Sequence, residues 1–93
     1  MKKEIKIQTE LLHSIISKAG IPEATLYLVL LSYRDKSGIA TVKRDTLSKD
    51  IGLSSRETGR LLNHLHKGGF IKWARGMEGI NQYVFLCEIG SVD

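Results

Sequence analysis

The chain has 93 residues, 42% of them hydrophobic, and a formal net charge of +4. This length allows one domain with a modest core and leaves little room for a cleft that would enclose a substrate. The hydrophobic fraction excludes a disordered chain. No apolar run approaches the roughly 18 residues of a membrane span, and no apolar signal segment follows the N-terminal lysines, so we expect a cytoplasmic protein.

The positive charge is concentrated in one segment. Residues 43–75 contain eight basic and three acidic residues, a net charge of +5, whereas the other 60 residues carry six basic and seven acidic ones, a net of −1. A basic surface attracts polyanions whatever their sequence. The alternative is a solvated helical face without a ligand.

The N-terminal part of the chain is predicted to contain two helices. Residues 4–7 alternate polar and apolar and predict a short strand or an extended arm. Thr9 is the expected N-cap of a helix over 9–19, which Gly20 ends. Its apolar stripe comprises Leu11, Leu12, Ile15, Ile16 and Ala19.

The second helix, predicted over 22–33, is apolar nearly all round. Pro22 suits its first turn, with Glu23 near the positive end of the helix dipole. Such a helix should be central, or shared between the core and a partner subunit. A turn at 36–38 and a short β-branched strand at 39–42 follow.

Residues 44–67 predict two helices joined by a tight turn. In the first, over 44–51, Leu47 and Ile51 face the core, and Gly52 is able to take positive φ. Ser54 or Ser55 caps the second helix, which runs to residue 67. With Ser54 as the cap, Glu57 occupies the third helical position, which forms a capping box. The inward residues of the second helix are Thr58, Leu61, Leu62 and Leu65.

Two glycines, Gly68 and Gly69, end this helix, and a hairpin follows. Its strands are predicted at 70–74 and 82–89. Trp73 lies beside basic residues, where aromatic rings sometimes stack on unpaired bases, but core packing is the favoured interpretation. Cys87 is the one cysteine, so no disulfide forms within the chain. It is expected to be a small buried residue, with a reactive thiol or an intermolecular disulfide as the alternatives.

These features resemble the winged helix-turn-helix of GntR- and MarR-type prokaryotic regulators and of plasmid or phage replication-initiator domains. The resemblance rests on Leu47, Ile51-Gly52-Leu53, Ser54-Ser55-Arg56, Leu62, Leu65 and Gly69-Phe70-Ile71. The N-terminal EIKIQTELL, followed by an apolar helix, is most similar to the initiator variant. The resemblance implies one mainly α domain (1–93) of α+β class, with a small β-hairpin wing. The implied order is α-α-β-α-α-β-β, with the helix-turn-helix at 44–67 and the wing at 70–89.

The sequence departs from the common pattern at two positions. Thr58 stands where a larger aliphatic residue is usual. Gly59 lies inside the second helix of the motif, where it costs about 0.5–1 kcal/mol relative to alanine. Either the helix approaches another backbone closely at Gly59, or the glycine is a tolerated surface residue.

The outer face of the helix at 55–67 is the predicted DNA-reading surface. A helix of about thirteen residues suits the major groove. Arg forms bidentate hydrogen bonds with guanine, and Asn does so with adenine. Each such contact is worth roughly 1–3 kcal/mol of discrimination between bases. The predicted base-contacting residues are Ser55, Arg56, Arg60 and Asn63. Glu57 would accept from cytosine if it were not capping the helix, and the capping role is favoured.

Other polar residues are predicted to hold the DNA backbone, which positions the protein without reading sequence. The predicted phosphate contacts are Lys43, Arg44, Ser54, His64, Lys67 and Lys72. The predicted wing contacts are Arg75, Gly76 and Asn81, with Arg75 either entering the minor groove or meeting a phosphate. Glu78 at the wing tip opposes close approach to DNA. The alternative is a plain hairpin that makes no contact.

Signatures of catalysis and metal binding are not apparent in the sequence. His64 and His66 are two apart, so they point to different faces of a helix, and no further ligands complete a metal site. Gly76-Met77-Glu78-Gly79 is not a phosphate loop, and no serine lies in a GxSxG motif. We therefore expect a protein without enzymatic activity, metal or cofactor.

The leading functional prediction is sequence-specific binding of double-stranded DNA, as a small transcriptional regulator or a plasmid or virus replication or partition factor. A homodimer would form through helices in the range 10–33, with Leu30 as a candidate interface residue. The alternative is a winged-helix adaptor that binds a protein partner through the apolar surface of 24–33. A fragment of a larger initiator is disfavoured, since the chain starts at methionine and shows no terminal linker.

Overall fold

The computed structural model describes residues 8–86, and within this range the elements follow the predicted order α-α-β-α-α-β-β. The four helices are α1 (Thr9–Lys18), α2 (Ile21–Ser32), α3 (Arg44–Ile51) and α4 (Ser55–Lys67). The three strands are β1 (Ile39–Lys43), β2 (Ile71–Arg75) and β3 (Ile80–Phe85), with a single 3-10 turn at Met77–Gly79. The mainly helical α+β fold with a hairpin wing is confirmed. The predictions for residues 4–7, for Cys87 and for the wing beyond residue 86 lie outside the described residues.

The strands form an antiparallel sheet in the order β1-β3-β2. Tyr83 on the central strand faces Ala40 of β1 and Trp73 of β2. Ala40 and Tyr83 are fully buried, and Trp73 is half-buried against the core. This agrees with the interpretation of Trp73 as a packing residue. The short strand predicted near residue 40 is β1, which pairs with the edge of β3 that faces away from β2.

Helix α2 is the central element of the core, as its apolar sequence predicted. Leu26, Tyr27 and Leu30 are fully buried, and the helix packs against α1, α3, α4 and β1. Burying apolar surface of this kind is the main stabilising term in a small domain. Within residues 8–86, no helix combines the length and the apolar character needed to cross a membrane.

Several predicted boundaries are displaced by one or two residues, the usual uncertainty at helix and strand ends. Gln8, not Thr9, is the N-cap residue of α1, and its side chain makes no capping hydrogen bond. The hairpin strands begin at Ile71 and Ile80 instead of residues 70 and 82. Phe70 precedes β2 in a bend and packs into the core with 3% of its surface exposed.

The turn between α3 and α4 is built as the sequence indicated, with one correction. Gly52 has φ 72° and ψ 28°, the left-handed conformation that glycine adopts without strain. Ser54 caps α4, its Oγ accepting from the Glu57 N–H at 3.1 Å. The Glu57 carboxylate, however, accepts from Arg60 Nη2 at 2.9 Å instead of turning back towards Ser54. Only half of the predicted capping box is therefore formed.

Thr58, the unusual residue in the motif, is matched by a hydroxyl on α3. Its side chain is fully buried, and its Oγ1 donates to the Ser54 carbonyl at 2.9 Å. Ser48 Oγ lies 2.8 Å from Thr58 Oγ1 and 3.0 Å from the Arg44 carbonyl. The buried hydroxyl of Thr58 is therefore hydrogen-bonded at the crossing of α3 and α4.

Candidate nucleic-acid interface

The outer face of α4 carries the side chains predicted to read DNA. Thr58, Leu61, Leu62 and Leu65 are buried against the core, which turns the opposite side of the helix to solvent. Residues three and four apart share a helical face. The exposed face therefore brings together Arg56, Arg60, Asn63 and Lys67, with Ser55 at its N-terminal edge.

One of these predicted readers has a partner on its own helix. Arg60 Nη2 and Glu57 Oε2 form an ion pair at 2.9 Å, with 55% and 47% of the two side chains exposed. Arg60, through its hydrogen bond first and its charge second, holds the pKa of Glu57 below the ordinary value for glutamate. An exposed pair of this kind is weak enough to open when DNA approaches.

Arg44, predicted to contact phosphate, lies across α4 at Gly59. A Cβ atom built on Gly59 would be 3.0 Å from Arg44 Nη1 and 3.4 Å from its Cζ. Within the chain, the group that approaches Gly59 closely is therefore the Arg44 side chain. The sequence contained no local signal for the contact, because the two positions lie on different helices.

A cleft of about 470 Å³ separates the start of α3 from the wing. Lys43, Arg44 and Arg75, three of the predicted DNA-contacting residues, line it together with Asp45 and Glu78. The tertiary structure thus gathers cations from the β1–α3 junction and from the wing around one space. The two carboxylates reduce its positive potential.

The wing turn depends on Gly76 for steric reasons. A Cβ at this position would lie 2.2 Å from the Ile80 carbonyl oxygen, so the backbone of the turn leaves no room for a side chain. Glu78 follows in the left-handed conformation, with φ 59° and ψ 31°, which non-glycine residues adopt at some energetic cost. Gly76 therefore shapes the turn of the wing.

Asn81, predicted as a wing contact, is turned inward. It is 5% exposed, and its Nδ2 donates to Tyr83 Oη at 3.1 Å. Burial raises the pKa of Tyr83, while the hydrogen bond to Asn81 and the charge of Arg44 act in the opposite direction. Asn81 therefore has a structural role at the base of the wing, where it also lines the cleft between α3 and the wing.

His64, predicted to lie near a phosphate, contacts a buried carboxylate. Its Nδ1 lies 2.5 Å from Oε2 of Glu23, a residue of α2 with 4% of its surface exposed. On the other side, His64 borders a cavity of about 360 Å³ with Lys67 and Lys18. Lys18 leaves no local signal in the sequence for this contact, because it belongs to α1 and approaches α4 only in the folded chain.

Lys72 lies apart from the other predicted phosphate contacts. Side chains alternate across a strand, and Ile71 and Trp73 pack towards the core. Lys72 therefore projects from the opposite, exposed face of the sheet, where its cross-strand neighbour Val84 is also exposed.

The helices, the antiparallel hairpin and the polar outer face of α4 define a winged helix-turn-helix domain of the DNA-binding class. Residues 22–71, just over half of the chain, match the family model of a helix-turn-helix domain. The chain therefore belongs to this family. No curated protein and no solved structure matches it closely enough to indicate a relationship. Among residues 8–86, no group of three or more His, Cys, Asp or Glu side chains is placed to hold a metal ion.

Proposed function

We propose that the protein binds double-stranded DNA in a sequence-specific manner by inserting α4 into the major groove. The observation that carries the proposal is the exposed row of Arg56, Arg60 and Asn63 on the side of α4 opposite its buried residues. Arginine and asparagine are the side chains that fork onto guanine and adenine edges. A helix of 13 residues is about 20 Å long, which suits the groove.

The remaining cations support the duplex around this helix. Lys67 extends the face of α4, and Lys43, Arg44 and Arg75 lie between α3 and the wing. Contacts of this type supply affinity that depends on salt concentration. They contribute little to sequence recognition. The biological role that fits is a small transcriptional regulator or a plasmid or virus replication or partition factor.

The test is a fluorescence-anisotropy titration with random-sequence duplex DNA at several salt concentrations. Affinity should fall with salt with a log–log slope of roughly −0.9 for each phosphate contacted. The Arg56→Ala/Arg60→Ala variant should bind random duplex more weakly and with a shallower salt slope, because two positive charges are lost from the interface. Absence of binding by the wild type at low salt would overturn the proposal.

A charge-matched variant separates readout from attraction. Arg56→Lys/Arg60→Lys keeps both positive charges but loses the planar fork. It should retain most of its affinity for random duplex and lose preference for sequences selected from a random pool by the wild type. If its selected sequences were the same as those of the wild type, Arg56 and Arg60 would not be base readers.

Specific recognition by one such module usually requires a second copy on an adjacent half-site. We extend the proposal to a homodimer through helices in the range 10–33. Leu30 is fully buried within the single chain, so it belongs to the core and is unsuited to test an interface. Ile16 and Ile21, which are 38% and 68% exposed, are the residues to replace with glutamate before measuring mass in solution.

The adaptor alternative is weakened by the burial of α2. It relied on surplus apolar surface over 24–33, but Ala24, Leu26, Tyr27, Leu30 and Leu31 are all buried within the chain. The apolar surface that remains to recruit a partner is therefore much smaller than the sequence suggested. A wild type that does not bind duplex DNA, together with partner binding that Arg56→Ala/Arg60→Ala leaves unchanged, would favour the adaptor function.

A further inference from the structure

Gly59 occupies the middle of α4, where alanine would be the more favourable helix residue. Its backbone is ordinary helix and does not need the conformational freedom of glycine. What it lacks is space, because the Arg44 guanidinium lies where a side chain would begin. The distances from the built Cβ to Arg44 Nη1, Cζ and Nε are 3.0, 3.4 and 3.9 Å.

This contact sets the position of Arg44 between α4 and the wing. On α4, Gly59 lies three residues after Arg56 and four before Asn63, so the guanidinium borders the proposed reading face. On the other side, Arg44 lines the cleft shared with Lys43 and Arg75. Its charge also acts on the buried Tyr83 hydroxyl of the central strand, countering the rise in the pKa of Tyr83 that burial causes.

We propose that Gly59 is a positioning residue, which leaves room for Arg44 to lie across α4 and there, with Lys43 and Arg75, to bind one backbone phosphate of the DNA. The inference rests on the proposed function and adds to it a defined phosphate site. Guanidinium forks match phosphate oxygens in a bidentate manner. Three cations from the β1–α3 junction and β2 line this cleft.

A phosphate fits this place better than a base. Arg44 is half-buried at the flank of α4, whereas Arg56, Arg60 and Asn63 are exposed. The cleft opens between the start of α3 and the wing, and Arg44 at its edge reaches α4 at Gly59. Asp45 and Glu78 also line the cleft, so the cations there exceed the anions by only one charge. Displacement of the Arg44 guanidinium should therefore weaken DNA binding measurably.

The test compares wild type, Gly59→Ala and Arg44→Ala in anisotropy titrations with random-sequence duplex across a salt series. Both variants should bind more weakly, with a salt slope shallower by roughly 0.9, the value of one phosphate contact. Gly59→Ala should nevertheless raise Tm by roughly 2–6 °C, since alanine favours the helix and Arg44 is able to move aside. A change that is merely structural would not lower affinity while raising Tm.

A double-mutant cycle isolates the pair. In the Arg44→Ala background, adding Gly59→Ala should cause no further loss of affinity, because the side chain that it displaces is gone. Ser17→Ala, on the exposed surface of α1, is the control that raises helix propensity without touching Arg44. It should leave both the affinity and the salt slope unchanged.

The outcomes separate this inference from the proposed function. If the wild type does not bind duplex at low salt, both fail. If the wild type binds and Arg56→Ala/Arg60→Ala weakens binding, but Gly59→Ala binds as tightly as the wild type, only the positioning role is overturned. An equal loss from Gly59→Ala with and without Arg44 would place Gly59 itself against DNA. An altered sequence preference in Arg44→Ala, at unchanged salt slope, would make Arg44 a base reader and overturn the phosphate site.

Discussion

The carboxylate of Glu23 and the imidazole of His64 form a hydrogen-bonded pair, with Oε2 and Nδ1 2.5 Å apart. Glu23 lies in the first turn of α2, and His64 lies in the C-terminal half of α4. The carboxylate accepts, so the ring nitrogen carries the proton. The pair therefore links α4 to α2, the central helix of the core.

Replacing His64 with alanine should destabilise the fold. The substitution leaves the Glu23 carboxylate, which is 4% exposed, without this partner. We expect the free energy of unfolding to fall by about 1–3 kcal/mol, the usual cost of removing a hydrogen bond to a charged, buried group. Urea denaturation followed by circular dichroism measures it.

The control for this prediction is His13→Ala, because His13 is exposed on α1. It should change the free energy of unfolding by less than about 0.5 kcal/mol. In a Glu23→Ala background, His64→Ala should have a much smaller effect than in the wild type. Equal effects in the two backgrounds would contradict a stabilising interaction between the two side chains.

Thr58→Val should destabilise the protein although valine has the shape of threonine and the usual pattern of the motif favours an aliphatic residue. The change removes the hydroxyl that bonds to the Ser54 carbonyl and to Ser48 Oγ in a fully buried position. The expected loss is about 1–2 kcal/mol, measured by thermal denaturation. Ser48→Ala/Thr58→Val should lose less than the sum of the two single variants, because each single variant already removes the hydrogen bond between the two hydroxyls. Additive losses would mean that the two hydroxyls act independently.

The Glu57–Arg60 pair should be visible in the titration of Glu57. Arg60 lowers the pKa of Glu57 in the folded protein. The pair therefore contributes stability above the unfolded-state pKa of glutamate, and the contribution is lost as pH falls through the lower, folded-state pKa. NMR titration should place the Glu57 midpoint below the ordinary value in the wild type and nearer to it in Arg60→Gln. Identical midpoints in the two proteins would show that the ion pair is not formed in solution.

Glu78→Gly should both stabilise the wing and tighten DNA binding. Glycine takes the left-handed conformation of Glu78 without strain, which we expect to add up to about 1 kcal/mol to the free energy of unfolding. The change also removes a negative charge from the basic cleft. Glu78→Gln separates the two effects, because it removes the charge and keeps the side chain. It should tighten binding at low salt without raising Tm, and a tightening that persists at high salt would not be electrostatic.

The helices, the turn and the hairpin of this protein were predictable because each leaves a local pattern. Apolar residues three and four apart mark the inward faces of α3 and α4, Gly52 marks a left-handed turn, and Ser54 marks a helix start. Boundaries were less certain, as at Gln8, because residues next to a helix end have similar preferences inside and outside it.

The sequence by itself determined which face of α4 is polar and which residues stand on it, since helical periodicity requires no knowledge of the rest of the chain. Only the tertiary structure decided which neighbours those residues meet. It paired His64 with Glu23, placed Arg44 over Gly59 and directed the Asn81 side chain inward to Tyr83 at the base of the wing. Each of these relationships depends on how separate elements pack together, and packing is specified by shape and burial across the whole domain instead of by any local pattern.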